Sequence, residues 1–179
     1  RDDVAIVLRG GSTDELASGV PLEAVRFVED APAIVRREGK PEVSPELYVI
    51  IDLPMRRTGS TANVPLRGVG SGAAAIRGHF RLVEGRYFTP GTNEVIVGNG
   101  AASQFRGVEV GDELHFGNTR WRVVGRFTDQ ASVSESELWT DAIVLQGAYN
   151  RGTSYQSVRV RLPTPAAMED LKRHLGSDP

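Results

Sequence analysis

VEVGDELHFGNTRWRVVGRF, residues 108–127, reads as two β-strands joined by a tight turn. Leu114, Phe116, Trp121, Val123 and Phe127 fall at strand-compatible spacing, with His115, Arg120 and Arg122 between them. Such alternation marks strands with one buried face. Gly117-Asn118-Thr119 separates the halves, and Gly with Asn supplies the positive φ angles a hairpin turn needs. Gly111-Asp112 marks a second turn just before the first strand. Gly125 interrupts the second strand, which predicts a bulge or a close backbone approach. Trp121 is the expected anchor, because a large ring contributes much buried area to a small core. The stretch defines an α+β domain and says little about function.

Outward from the hairpin, the chain organises into two ends and a middle. Val4–Leu8, VAIVL, is a continuous apolar run, as expected for a strand buried on both faces. A helix is expected from about Ser18, with Pro21 in its first turn and Leu22, Val25 and Val28 on one face. It ends before Ala31-Pro32. Leu47–Leu53, LYVIIDL, is a second strand, closed by Pro54. The C-terminal end mirrors this strand-helix-strand unit. Ser157–Leu162 alternates apolar and basic residues, Thr164 and Pro165 suit a helix start, and Met168, Leu171 and Leu175 form one stripe. No strand follows that helix.

The middle is richer in turns. Arg56–Ser60 reads as a loop into a second lobe, and Asn63–Leu66 as a short edge strand on account of Pro65. Strands are expected at Phe80–Glu84, Glu94–Val97 and Glu137–Thr140. Short helices are expected at Ala101–Phe105 and, capped by Asp141, through Tyr149. The expected organisation is a split strand-helix-strand lobe, residues 1–56 and 155–179, with an inserted β-rich lobe, residues 57–154. The abrupt start at Arg1 and the end at Gly176-Ser177-Asp178-Pro179, just past a helix, suit a fragment of a longer polypeptide.

The chain has 179 residues, 40% hydrophobic and 25% charged, which is ordinary for a globular protein. Lys+Arg 21 against Asp+Glu 23 leaves a net charge of −2, with no basic excess to drive nucleic-acid binding. Cysteine is absent, so disulfide scaffolds, Cys-zinc sites and thiol nucleophiles are excluded. No apolar run of about 18 residues is present to span a membrane.

Candidate chemistry meets its structural requirements nowhere. Gly68-Val69-Gly70-Ser71-Gly72-Ala73 spells GxGxxA, but a dinucleotide site needs a buried strand before it and a full helix after it. Val64-Pro65-Leu66-Arg67 is a poor central strand and the helix must stop before Gly78, so a flexible loop is expected and no cofactor. His79, His115 and His174 show no ligand spacing, so no metal is expected. Ser132, Ser134 and Ser136 lie in no GxSxG elbow, so no catalytic residue is expected. The acidic loop Asp129–Glu137 is long enough to project, which makes Asp129, Glu135 and Glu137 the candidate partner-contact residues.

Several segments resemble, in order, the MacB-like periplasmic core domain of FtsX-like and MacB-like ABC transporter permeases. Asn63-Val64-Pro65-Leu66-Arg67-Gly68-Val69 is similar to the family's strand into RGV. Phe80–Phe88 is similar to its GR-aromatic-F turn, and Glu94–Gly98 with Ala101-Ala102 to its EVIVG…A step. Val110–Leu114 with Trp121–Gly125 resembles its VGD and VVG hairpin, and Ser136-Glu137-Leu138-Trp139 its SE-I/L-W strand. Ser157–Leu162 resembles the strand leading back to the membrane-proximal lobe. The family carries a final strand after its last helix, which this sequence lacks.

The resemblance implies a non-catalytic extracytoplasmic, periplasmic domain of an ABC transporter permease in the cytoplasmic (inner) membrane. Its split lobe would be porter-like and membrane-proximal. It would transmit ATP-driven motion to a substrate or partner outside the membrane. The implied partners are its own flanking transmembrane helices, a second permease copy, a cytoplasmic ABC ATPase that carries the hydrolysis, and a periplasmic or extracellular protein. The isolated domain is then expected to be a monomer or weak dimer. The alternative is a soluble secreted ligand-binding protein or hydrolase with a site between the lobes, marked by a deep pocket and shifted carboxylate pKa values.

Overall fold

The structure, a computed structural model, describes residues 3–177. Arg1, Asp178 and Pro179, which bore on the expectation of a cut fragment, lie outside the described residues. In chain order the elements are β1 (Val4–Val7), α1 (Leu22–Glu29), β2 (Arg36–Arg37), β3 (Lys40–Pro41), β4 (Val43–Pro54), β5 (Thr61–Val69), α2 (Ala73–Arg77) and β6 (Arg81–Gly85). There follow β7 (Glu94–Gly98), α3 (Asn99–Gln104), β8 (Glu113–Phe116), β9 (Thr119–Thr128), a 3-10 turn (Val133–Ser136), β10 (Leu138–Asp141), α4 (Ala142–Ala148), β11 (Ser157–Arg161) and α5 (Ala167–Leu175). This is a mixed α+β fold.

Two compact units divide the chain. The first holds the residues up to Glu46, Gly70–Arg77 and those from Thr153 on; the second holds Leu47–Val69 and Gly78–Gly152. Gly70–Arg77 therefore belongs with the chain's ends and Leu47–Arg56 with the middle, whereas the bounds drawn from sequence had them the other way round.

In the first unit β11 lies between β1 and β4 and is antiparallel to both, so β1, α1 and β4 form a strand-helix-strand unit split by β11. Helix α1 buries Val25 and Val28, and α5 buries Ala167 and Leu171. The two helices meet where the His174 ring stacks on Phe27, centroids 4.3 Å apart. The expectation that VAIVL is buried on both faces is corrected. Among the described residues β1 pairs with β11 alone and so stands at the sheet's edge, and Ile6 is 46% exposed. Helix α1 starts at Leu22, not near Ser18, whose hydroxyl instead accepts the Arg9 amide at 2.8 Å. Helix α5 likewise starts beyond Thr164 and Pro165, which form a preceding turn.

In the second unit the strand order is β4–β5–β10–β7–β9–β6, with β8 paired to β9. Gly117 and Asn118 have φ of 59° and 55°, so the β8–β9 hairpin closes with two left-handed residues as the sequence demands. At Gly125 the β7–β9 register skips Val124, and an added Cβ would lie 2.1 Å from the Arg86 carbonyl oxygen. The bulge and the close approach thus coincide. One face of this sheet buries Leu47, Val49, Ile51, Val64, Leu66, Val95, Val97 and Leu138 in one cluster with Trp121 and with Leu145 of α4.

Two further expectations are corrected here. Asn63–Leu66 is part of a nine-residue interior strand, not an edge. Strand β10 pairs with β5 only from Leu66 onward, so Pro65 has a neighbouring strand on one side and its missing N–H is tolerated. Nor is Gly68–Ala73 a flexible loop. A Cβ would meet Ala142 Cα at 2.8 Å from Gly68, Pro45 Cδ at 2.8 Å from Gly70 and the Val43 carbonyl oxygen at 2.6 Å from Gly72. The spaced glycines serve close packing, and the helix after them has five residues.

Candidate functional site

The acidic loop between β9 and β10 turns inward more than it projects. After Thr128 the chain reverses through Gln130 and Ala131, both with positive φ, into the 3-10 turn. Asp129 is buried and accepts the Ser132 hydroxyl at 2.7 Å. Glu137 is buried too, its two oxygens taken by the Arg67 guanidinium at 2.8–3.1 Å. Its Oε1 also accepts the Trp139 indole N–H at 3.2 Å. The expectation that Asp129 and Glu137 offer contacts at the surface is therefore corrected: alternation along β10 aims Glu137 and Trp139 to one side, where Arg67 of β5 waits. Only Glu135 of the three remains half-exposed.

Glu135 lines an open groove of about 670 Å³ within the second unit. Its walls come from the loop after β4, from β6, α3, the 108–110 segment and β9. Two ion pairs stand on these walls: Arg56 with Glu109 at 2.7 Å and Arg126 with Glu84 at 3.4 Å. Arg56 also donates to the Ala102 carbonyl at 2.9 Å, and Arg126 donates to the Asn99 side-chain oxygen. Glu135 Oε1 accepts the Thr128 hydroxyl at 2.9 Å, while its Oε2 is shielded from solvent and has no hydrogen-bond partner. The backbone of Glu135 is pinned, because Gly98 and Gly100 let its carbonyl approach α3 more closely than a side chain there would allow.

A second polar cluster fixes the corner between β6 and β7. Arg86 pairs with both oxygens of Glu94, and the Thr89 amide donates to Glu94 Oε1 at 2.8 Å. The Arg86 hydrogen bonds, above all, hold the Glu94 carboxyl down at about 2, from an ordinary value near 4.5, against the opposing effect of burial. In the first unit the fully buried Glu46 receives Arg77 through two bonds of 2.9 Å, Arg159 at 3.1 Å and the Ser44 hydroxyl at 2.7 Å. Ser44 in turn accepts the Gly70 amide at 2.9 Å. Both clusters hold backbone in place, at the Thr89 amide in one and, through Ser44, at the Gly70 amide in the other.

His79 and His115 are exposed and far apart in sequence, and His174 is occupied with Phe27, its Nε2 2.8 Å from the Phe27 carbonyl. Sequence reasoning missed Arg67–Glu137 and the Glu46 cluster. Their partners lie 70 and 31 or more residues apart, and short motifs carry no trace of such pairing.

The comparisons with known proteins agree with this architecture. The family model for the MacB-like periplasmic core domain matches residues 2–177. The chain belongs to that family, and is thus an extracytoplasmic domain of an ABC transporter permease of the MacB-like kind. Among solved structures, the periplasmic region of MacB from Actinobacillus actinomycetemcomitans superposes with a TM-score of 0.68 at 16% identity, covering 98% of this chain and 83% of that one. The extracellular domain of the noncanonic ABC-type transporter YknZ from Gram-positive bacteria gives 0.64 at 15% identity, covering 93% and 86%. A domain of a putative permease protein from Porphyromonas gingivalis gives 0.53 at 13% identity, covering 83% and 68%. At these identities the structural likeness concerns the fold. No curated protein matches the chain in sequence. Among the described residues, no helix is long and apolar enough to cross a membrane.

Proposed function

We propose that this domain is a moving part without chemistry of its own, passing ATP-driven motion to a substrate or partner outside the cytoplasmic membrane. The observation that carries the reading is the family match over residues 2–177. It is supported by the use made of the charged residues: the carboxylates of Glu46, Glu94 and Glu137 are all consumed in ion pairs that hold strands and turns in place. In this reading the first unit lies next to the membrane and is pulled by flanking transmembrane helices. A second permease copy completes the assembly, and ATP is hydrolysed by a cytoplasmic subunit or domain. A protein on the far side of the membrane receives the motion. The isolated domain is a monomer or weak dimer.

This chain itself contributes no cysteine to compete with an introduced label. Thr58→Cys, at an exposed turn, carries a spin label in the full-length permease reconstituted with its ATPase. The expected result is a label-to-label distance between the two copies that changes when ATP is trapped in a hydrolysis-deficient ATPase. An unchanged distance in a transporter that hydrolyses ATP and transports would overturn the reading. Turnover of a small molecule by the purified domain would do the same.

A further inference from the structure

The tip of the β4–β5 hairpin, in the second unit, carries an unbalanced charge. It is built from residues 54–61 and, bonded to them, residues 102–109 at the end of α3 and just beyond it. Arg56, Arg57 and Arg106 are the cations of these two segments and Glu109 is their one anion, whereas the whole chain is net −2. Backbone bonds lock the segments together. The Arg56 amide donates to the Gln104 carbonyl at 2.9 Å and the Arg106 amide to the Pro54 carbonyl at 2.8 Å, and the buried Phe105 bridges to Met55. The three guanidinium groups are used differently. Arg56 is neutralised by Glu109 at 2.7 Å. Arg106 spends Nη2 on the Arg56 carbonyl at 2.9 Å, and its guanidinium lies against the turn, since a Cβ on Gly59 would meet its Nη1 at 3.5 Å. Arg57 stands two residues before that glycine. Arg57 and Arg106 are both exposed, and neither has a carboxylate partner among the described residues.

Arginine stays charged at every physiological pH, and its planar fork of N–H donors matches a carboxylate. One of the two unpaired forks here is already oriented by its bond to the main chain, so less freedom is lost when an anion arrives. We infer that this tip is a docking surface for an acidic segment of another protein, whose Asp or Glu carboxylates are taken by Arg57 and Arg106. Charge complementarity of this kind selects a partner and fixes its register. The occupant is a polypeptide rather than an anionic lipid surface. Every exposed side chain of the two segments is polar, so none of them enters the apolar part of a bilayer. Thr58, Ser60, Ser103 and Gln104 instead offer neutral hydrogen-bonding groups around the arginines, as the rim of a protein interface does. The inference deepens the reading above and rests on it in one respect: the protein that receives the motion is the one that supplies the acidic segment.

The test titrates the isotope-labelled chain at physiological ionic strength, where long-range attraction between exposed charges is screened. The probes are an end-capped hexapeptide of alternating Asp and Glu, its Asn and Gln counterpart, and vesicles of phosphatidylglycerol. Saturable shifts of the backbone amides of Arg57, Thr58, Gly59 and Arg106 are expected with the acidic peptide and not with the neutral one. Arg57→Gln removes an exposed side chain and is expected to weaken binding about three- to fivefold, as for one exposed ion pair. Adding Arg106→Gln is expected to bring the loss to about tenfold or more. Lys40→Gln, at another exposed cation in the first unit, is expected to leave the affinity unchanged, which separates the tip from basic surface in general. Equal binding of the two peptides, unchanged affinity in Arg57→Gln with Arg106→Gln, an equal loss in Lys40→Gln, or shifts at the tip with the vesicles and not with the acidic peptide would overturn the proposal. None of these measurements involves ATP. Failure here leaves an ATP-driven distance change standing, and a fixed distance leaves the docking surface standing.

Discussion

The first unit is centred on a charge and the second on rings. Glu46, fully buried, gathers Arg77, Arg159 and Ser44 where β4 meets β11. In the second unit Phe80, Phe127 and Trp139 stack with centroids 4.7–5.3 Å apart on one side of the sheet, and Trp121 stacks on Phe116 at 4.9 Å on the hairpin. Its buried ion pair, Arg67–Glu137, has one charge of each sign and adds Trp139 and the Tyr48 ring as neighbours. The difference teaches where each unit is vulnerable. A ring cluster loses stability in proportion to the area and cavity a deletion leaves. A buried charge cluster fails when its one common acceptor is removed, because the remaining charges stay buried without compensation.

The sharpest break of the comparison is therefore Glu46→Ala. It removes the buried carboxylate that Arg77 and Arg159 share and is expected to destabilise the chain by about 3–5 kcal/mol or to prevent folding. Chemical denaturation measures it, and a loss under about 1 kcal/mol would mean the cluster contributes nothing. Trp121→Ala is expected to cost about 3–5 kcal/mol, the range for large aromatic deletions in cores. It removes a fully buried ring whose indole also donates to the Phe116 carbonyl at 3.1 Å. A loss under about 1 kcal/mol would contradict the anchoring role.

Smaller effects sharpen the picture. Replacing Arg67 and Glu137 together by Met and Leu is expected to be far milder than either single change, within about 1–2 kcal/mol of neutral, since both desolvation costs vanish together. A double-mutant cycle reads this directly. Asp141→Ala removes the side-chain cap on the Ile143 amide, 2.9 Å long, and should cost about 1 kcal/mol. The smallest effect is that of pH. Glu94 has its carboxyl lowered from near 4.5 to about 2, so its contribution is present above pH 4.5 and is lost as pH falls towards 2. Arg86 is 56% exposed and solvent screens the pair, so the effect is modest. The stability difference between the native chain and Glu94→Gln should shrink over that interval. A constant difference would contradict the pairing.

What could be read in the sequence was what neighbours decide. The hairpin at Gly117-Asn118, the bulge at Gly125, the cap at Asp141 and the burial of Trp121 all follow from local turn chemistry and alternation, and all are present. What misled was local evidence overruled by distant pairing. VAIVL reads as an interior strand, but nothing in its residues says that only one neighbour pairs with it. Pro65 reads as an edge signal, and only the register with β10 shows how an interior strand accommodates it. The acidic loop reads as solvated because its count of Ser and Glu is visible, whereas Arg67, which takes Glu137 inside, lies 70 residues earlier. The groove could not be read at all, since its walls come from segments dispersed between Arg56 and Glu135.

The most direct test of the central reading is the distance between spin labels at Thr58→Cys on the two copies of the full-length permease, with and without trapped ATP. A distribution that shifts on trapping ATP and returns on its release is the predicted result. One that stays fixed while the transporter turns over ATP and moves its substrate would contradict the account.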